Sequence, residues 1–162
     1  MAKRTKPIKE VANLGKPFWI RAATRVVDMV FNRTVSKGQD VDGTAFKDYD
    51  SRYAKRKSSG KIKGQAGGAG RSSIPNLYLT SKTMNSLLVY PDTATDYNIK
   101  VGWISGKSAQ KVEWNEDMGR AIKKDTGFAF GSAIERWWFR NINRALDKKL
   151  KKVSDKTVFK IG

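Results

Sequence analysis

Two stretches of the chain repeat apolar residues at the spacing of one helical face, and the pattern between them is weaker and broken. Over 16–35, Trp19, Ala22, Ala23, Val26, Val27, Val30 and Phe31 recur three and four apart, which predicts an amphipathic helix. Pro17 suits its first turn, where a missing N–H costs nothing. Arg21, Arg25, Asp28 and Arg33 fall mostly on the other side, and Gly38 ends the element. Over 132–153, Ile134, Trp137, Trp138, Ile142, Ala145, Leu146 and Leu150 draw a second stripe. Ser132 and Glu135 have the spacing of a capping box, in which each side chain satisfies the other's free backbone N–H. Lys149, Lys151 and Lys152 stand near the end, where the helix dipole favours cations.

The middle of the chain reads as short pieces. Asp42-Gly43 marks a tight turn, and 51–57 predicts a short basic helix that buries Tyr49 or Tyr53. The segment 58–73 holds five Gly and four Ser with almost nothing apolar, so it predicts a long, flexible Gly/Lys-rich loop projecting from the domain. Over 77–88 a short helix is expected, capped by Thr80 or Ser81, with Met84, Leu87 and Leu88 on its apolar face. Leu88 to Tyr90 begins a strand that Pro91-Asp92 stops. Tyr97, Ile99, Val101 and Trp103 alternate over 96–104, and Val112 and Trp114 over 111–114, which predicts a small antiparallel sheet with one side buried. A helix or turn over 115–124 and an apolar, Gly-bracketed turn over 127–131 complete the reading. The fold class is α+β: a small antiparallel sheet packed by a long N-terminal and a long C-terminal helix, with a long Gly-rich loop. In domain terms, 1–15 is a basic N-terminal arm, 16–153 a single α+β domain containing the 58–73 loop, and 154–162 a C-terminal tail or short strand.

Composition narrows the chemistry. The 162 residues contain 33 Lys+Arg against 15 Asp+Glu, a formal charge of +18, with neither His nor Cys. Thiolate nucleophiles, disulfides, Ser-His-Asp catalysis and zinc sites of the usual kind are therefore excluded. Gly106-Lys107-Ser108 resembles the end of a phosphate-binding loop, but Val101 stands where that loop requires its first Gly. Asp48 with Asp50, and Asp40 with Asp42, sit among turn residues, where Asp is expected for local hydrogen bonds. Glu113, Glu116 and Asp117 form a third acidic set, of which Glu116 and Asp117 suit a helix start. No catalytic residue, metal or cofactor is expected. No run approaches the ~20 apolar residues of a spanning helix, and 1–16 develops no apolar leader core, so a cytoplasmic chain is expected.

The charge excess fits a polyanion or an acidic protein surface. Two basic sets stand out as partner or DNA contacts: Lys55, Arg56, Lys57, Lys61 and Lys63 on the loop, and Arg136, Arg140, Arg144 and Lys148, which repeat every four residues as a ridge. Trp137, Trp138 and Phe139 are adjacent on a helix and cannot all enter one core. All three are expected as subunit-interface residues, since aromatics and Arg are enriched at interface centres. Beside Arg136 and Arg140, exposed aromatics could also stack bases.

An ordered series of segments carries a resemblance. It consists of Asp42-Gly43-Thr44-Ala45-Phe46-Lys47, then Tyr53-Ala54-Lys55-Arg56-Lys57, a Gly/Ser-rich gap, and Asn76-Leu77-Tyr78-Leu79-Thr80-Ser81-Lys82-Thr83-Met84-Asn85-Ser86-Leu87. With the closing turn and helix over 127–150, the series resembles the tail-completion, or virion-morphogenesis, proteins of the tailed-phage neck. Lys82 departs from that pattern, where Gly is usual, as does the pair of strands ahead of the closing helix. The resemblance implies a small α+β structural protein without catalytic residues. Such a protein would form a homo-oligomeric ring, a hexamer or dodecamer, at the head–tail junction as a tail-completion, tail-terminator or neck component. Its partners would be other neck, portal or tail-tube proteins, with genomic DNA possible in the channel and no membrane. It would be assembled in the host cytoplasm and located in the virion. The alternative from composition is a sequence-independent basic DNA-binding protein; a carboxylate-dependent nuclease is a third.

Overall fold

A computed structural model describes residues 13–78, 81–123 and 129–157, with side chains to 152. The first apolar stripe is helix α1 (Lys16–Phe31), entered through Gly15 with Pro17 in its first turn and continued by a π-helical turn at Asn32–Ser36. Trp19, Ala22, Ala23, Val26 and Val30 are its buried face. The basic segment after the Asp42-Gly43 turn is α2 (Ser51–Ser58). A 3₁₀ turn at Gly68–Arg71 and a one-turn helix α3 (Lys82–Asn85) lead into the sheet. Strands β1 (Leu87–Tyr90) and β2 (Lys100–Trp103) pair antiparallel, with Leu87 opposite Trp103 and Tyr90 opposite Lys100. Helix α4 (Gly106–Asp117) follows, then the long helix α5 (Ser132–Thr157). The chain is α+β: five α-helices and one two-stranded antiparallel sheet among the described residues.

Helix α1 is the centre of the packing. It lies on β1 and β2 and receives α5 on its flank. Val26, Val30, Val35, Met84, Leu87, Val112, Ile122 and Ile134 form one buried cluster to which α1, α3, β1, α4 and α5 contribute, with Val101 and Trp103 of β2 packed against it. Each fully buried aliphatic side chain of this size contributes roughly 1.5–3 kcal/mol. Trp19 fixes the near end of α1: its indole N–H donates to the Asp96 carbonyl at 2.8 Å, and its ring lies 5.7 Å from that of Trp138 on α5.

Several expectations shift. The expected strand over 111–114 is helix. Val112 is fully buried on α4 while Trp114 is 54% exposed, so the two do not share a face. Four alternating residues do not distinguish a strand from one side of a helix. The helix expected over 77–88 shrinks to α3, because Leu77 (φ 51°) and Ser81 (φ 63°) are left-handed and break any longer run. Leu87 and Leu88 then alternate across a strand, one buried and one exposed. Ser81 holds the N-cap position without a capping side-chain bond; Thr80 lies outside the described residues.

The 58–73 loop does not project. Gln65 Nε2 donates to the Lys57 and Gly70 carbonyls, both at 2.5 Å, and Lys61 N donates to the Arg56 carbonyl, so the segment folds back on α2 with Gly70 buried. Helix α5 runs on to Thr157, past the Val153 boundary expected for the domain. The N-terminal arm up to Ala12 and residues 158–162 of the tail lie outside the described residues.

Two glycines are required by close approach. Gly131 has φ 88°, and a Cβ there would stand 2.1 Å from the Val41 carbonyl oxygen. Gly38 has φ 62°, and its Cβ would meet the Pro75 carbonyl at 2.3 Å. Gly43 shares the left-handed backbone (φ 87°) but faces open space. Gly131→Ala and Gly38→Ala are therefore expected to lower stability by more than about 2 kcal/mol. Gly43→Ala should cost only about 1–2 kcal/mol. Urea unfolding of the three variants checks the order.

Candidate functional site

Helix α5 sorts its residues by face. The Gly131 carbonyl accepts the first helical bond, from Glu135 N at 3.0 Å, so Ser132 is the first helical residue and not the cap. The Ser132–Glu135 spacing is thus one position out of register for a capping box. Ile134 is buried, and Trp137 and Trp138, expected at a subunit interface, instead pack against the chain's own core cluster. Phe139 is left as the exposed member of the aromatic trio, 53% open. Arg136, Arg140, Arg144 and Lys148 are all exposed, and successive members are separated by ~6 Å of helical rise. None of the four forms an ion pair among the described residues. Arg140 Nε donates to the Arg136 carbonyl at 3.2 Å, which lays its guanidinium back along the helix. Glu135, Arg136, Phe139, Arg140 and Asn143 line an open groove of about 460 Å³. Asp147 is the one acid from 136 to 152.

The second basic set divides. Lys55, Arg56, Lys61 and Lys63 are on the surface. Lys57 is not: it is 0% exposed, its Nζ donates to Asn76 Oδ1 at 2.5 Å and to the Tyr49 hydroxyl at 3.1 Å, and it lies 4.7 Å from the Tyr49 ring centroid. The expected contact with DNA or a partner is therefore corrected for Lys57. The i+4 step from Tyr53 turns it to the inner side of α2, and the returning loop covers it. Asn76 completes the knot through Nδ2 to the Ala69 carbonyl at 2.8 Å, while its own N–H donates to the Tyr49 hydroxyl at 3.2 Å.

Arg33 was expected on the solvent side and instead ties three segments together. Its Nη1 donates to the Phe130 carbonyl and its Nη2 to the Ile122 carbonyl, both at 2.7 Å, with the Val41 carbonyl at 3.5 Å from Nη1. Burial pulls its pKa down from the usual arginine value, and nearby Asp40 and Asp42 oppose that pull. The periodicity held the signal, because 33 continues the inward series 19, 22/23, 26 and 30.

A second concavity, of about 410 Å³, opens between α2 and the end of α4. The Tyr49 and Tyr53 rings meet edge to face at 4.9 Å along it, and Arg120 lies 5.4 Å from the Tyr49 ring centroid. Burial raises the Tyr53 phenol, with Tyr49 adding to the shift and Arg120 opposing it. Nothing in the sequence pattern joined Arg120 to these tyrosines, since they lie some seventy positions apart. Two of the acidic candidates, Asp40 and Asp50, have local duties. Asp40 Oδ1 accepts from Asp42 N and Thr44 N at 2.9 and 2.8 Å, and Asp50 Oδ1 caps α2 by accepting from Arg52 N and Tyr53 N. No three carboxylates converge as metal ligands among the described residues.

Comparison with protein-family models, curated proteins and solved structures finds no match to the chain.

Two outcomes test the internal bonds. Arg33→Leu leaves the Phe130 and Ile122 carbonyls without this donor and is expected to cost about 3 kcal/mol or more. Arg33→Lys recovers only part of that, because an ammonium lacks the fork that reaches both. Asn76→Leu removes one of the two oxygens that accept from the Lys57 amine and should cost about 1–3 kcal/mol. Adding Lys57→Met to it should cost less than the two single effects summed, read as a coupling in a urea double-mutant cycle.

Proposed function

We propose that this chain is a structural subunit of a tailed-phage virion. In this reading it forms a ring at the head–tail junction as a tail-completion, tail-terminator or neck protein and has no enzymatic role. The observation that carries the reading is the amount of large apolar surface left uncovered on one subunit. Leu88, Tyr97, Ile104, Trp114, Met118 and Leu150 are each more than 40% exposed. Apolar surface of this kind marks contacts with other proteins when it gathers into patches, and Trp114 and Met118 stand one turn apart on the end of α4. A sheet of only two strands also leaves an open edge on each side among the described residues.

The segments that carry the family resemblance support it further. Tyr53 to Lys57 and Asn76 to Leu87 meet at the bond between Lys57 and Asn76, so two segments of the ordered series are tied to each other. A ring follows if the contact is head-to-tail and its rotation closes. The surface cations would then meet DNA in the channel or an acidic neighbouring ring.

Native mass spectrometry and electron microscopy of the purified protein, alone and mixed with candidate neck partners, test this. The expected outcome is a closed hexameric or dodecameric ring. A monomer under all these conditions would overturn it.

A further inference from the structure

We propose that the outer face of α5 binds single-stranded nucleic acid, with a base stacked on Phe139 and phosphates held by Arg140, Arg144 and Lys148. The inference does not rest on the ring reading.

The juxtaposition is specific. Helix geometry turns Trp137 and Trp138 toward the subunit's own core and leaves the Phe139 ring out in water between two arginines. An exposed phenylalanine gains nothing from solvent, and its ring offers a π-face for a flat partner. Arg136 and Arg140 flank it, and both line the same groove. The cations run onward from that groove at ~6 Å intervals of rise. They are unpaired by carboxylates among the described residues, so their charge is available to a polyanion.

Asn143 lines the groove as well and supplies an amide that can both donate to and accept from a base edge. Glu135 lines the N-terminal end and repels phosphate, which directs the backbone toward Arg144 and Lys148. Asp147 interrupts the ridge only once.

The ring also decides which nucleic acid. In a duplex the base faces are stacked on one another and only edges and backbone are presented. An aromatic face reaches a base only when that base is unstacked, as in a single strand. A merely electrostatic face would need the arginines and not Phe139.

Fluorescence anisotropy of the full chain, with a labelled oligothymidylate and a duplex of equal length across a salt series, tests the proposal. The single strand is expected to bind more tightly than the duplex. Phe139→Leu keeps an apolar side chain but loses the π-face, and should weaken single-strand binding roughly 5- to 150-fold, the factor one stacked base is worth. Phe139→Trp should retain or strengthen binding. Arg140→Gln and Arg144→Gln should each reduce the slope of log affinity against log salt by about 0.7. Circular dichroism melting confirms that these surface variants fold. The proposal is overturned if no binding is seen, or if strand and duplex bind equally and Phe139→Leu changes nothing. It is equally overturned if Phe139→Leu alters the oligomeric state while nucleic-acid affinity stays the same, which would make Phe139 a protein contact.

Discussion

The fold depends on how the Arg33 guanidinium is satisfied inside the protein. A chain with 33 basic and 15 acidic residues has few carboxylates to spare for neutralising basic side chains that its helices turn inward. The two Nη groups of Arg33 are met by backbone instead, while its buried Nε has no hydrogen-bond partner. Its fork reaches carbonyls of Phe130 and Ile122, with Val41 close by, and so joins the end of α1 to the segments on either side of it in space. Charge-assisted bonds of this kind are stronger than those between neutral groups. A planar guanidinium suits the task because its donors diverge at fixed angles. The approach of Val41 to Gly131 belongs to the same junction. The loop after α1 and the turn before α5 come so close there that only glycine fits.

Lys57 solves the same problem with other oxygens. Its amine meets an amide oxygen and a phenol rather than an acid, and the loop that covers it is held by Gln65 and Asn76 through backbone carbonyls. A segment with this many glycines and serines cannot order itself by burying apolar area. Here a few polar side chains supply the fixed points, and the glycines permit the backbone to pass close to them. Gly60, Gly64 and Gly68 all take left-handed backbone in this return.

The two long helices and the α+β class were legible because their stripes run over many turns, where periodicity averages out local exceptions. Short elements were not. Over 111–114 and 77–88 the apolar residues satisfy two periods at once, and tertiary packing chose between them: Val112 enters the core from a helix, and Leu87 from a strand. The basic sites divided for a related reason. A run of cations in sequence says nothing about which members a later loop will cover, so Lys57 is inside while Lys55, Arg56, Lys61 and Lys63 are not. The exposed ridge of α5 was readable because an i+4 repeat stays near one side of a helix, and the same geometry singles out Phe139 from its two tryptophan neighbours.

The consequence for function is a division of the positive charge. The basic groups of Arg33 and Lys57 that hold the fold together donate to its own carbonyl, amide and phenol oxygens and are turned away from any partner. Arg136, Arg140, Arg144 and Lys148 on α5 are exposed and form no ion pair among the described residues, so they contribute little to the stability of the fold. A long helix with one face in the core and a cationic, aromatic-bearing face in solvent carries an electrostatic cost, since like charges at i and i+4 repel. Burial of Ile134, with Trp137 and Trp138 packed on the core, offsets that cost at one end of the helix. Toward the other end, where Leu150 is half exposed and the lysines multiply, the repulsion falls when a polyanion or an acidic surface lies along the helix. An anionic partner lying along the ridge would therefore relieve this repulsion among its cations.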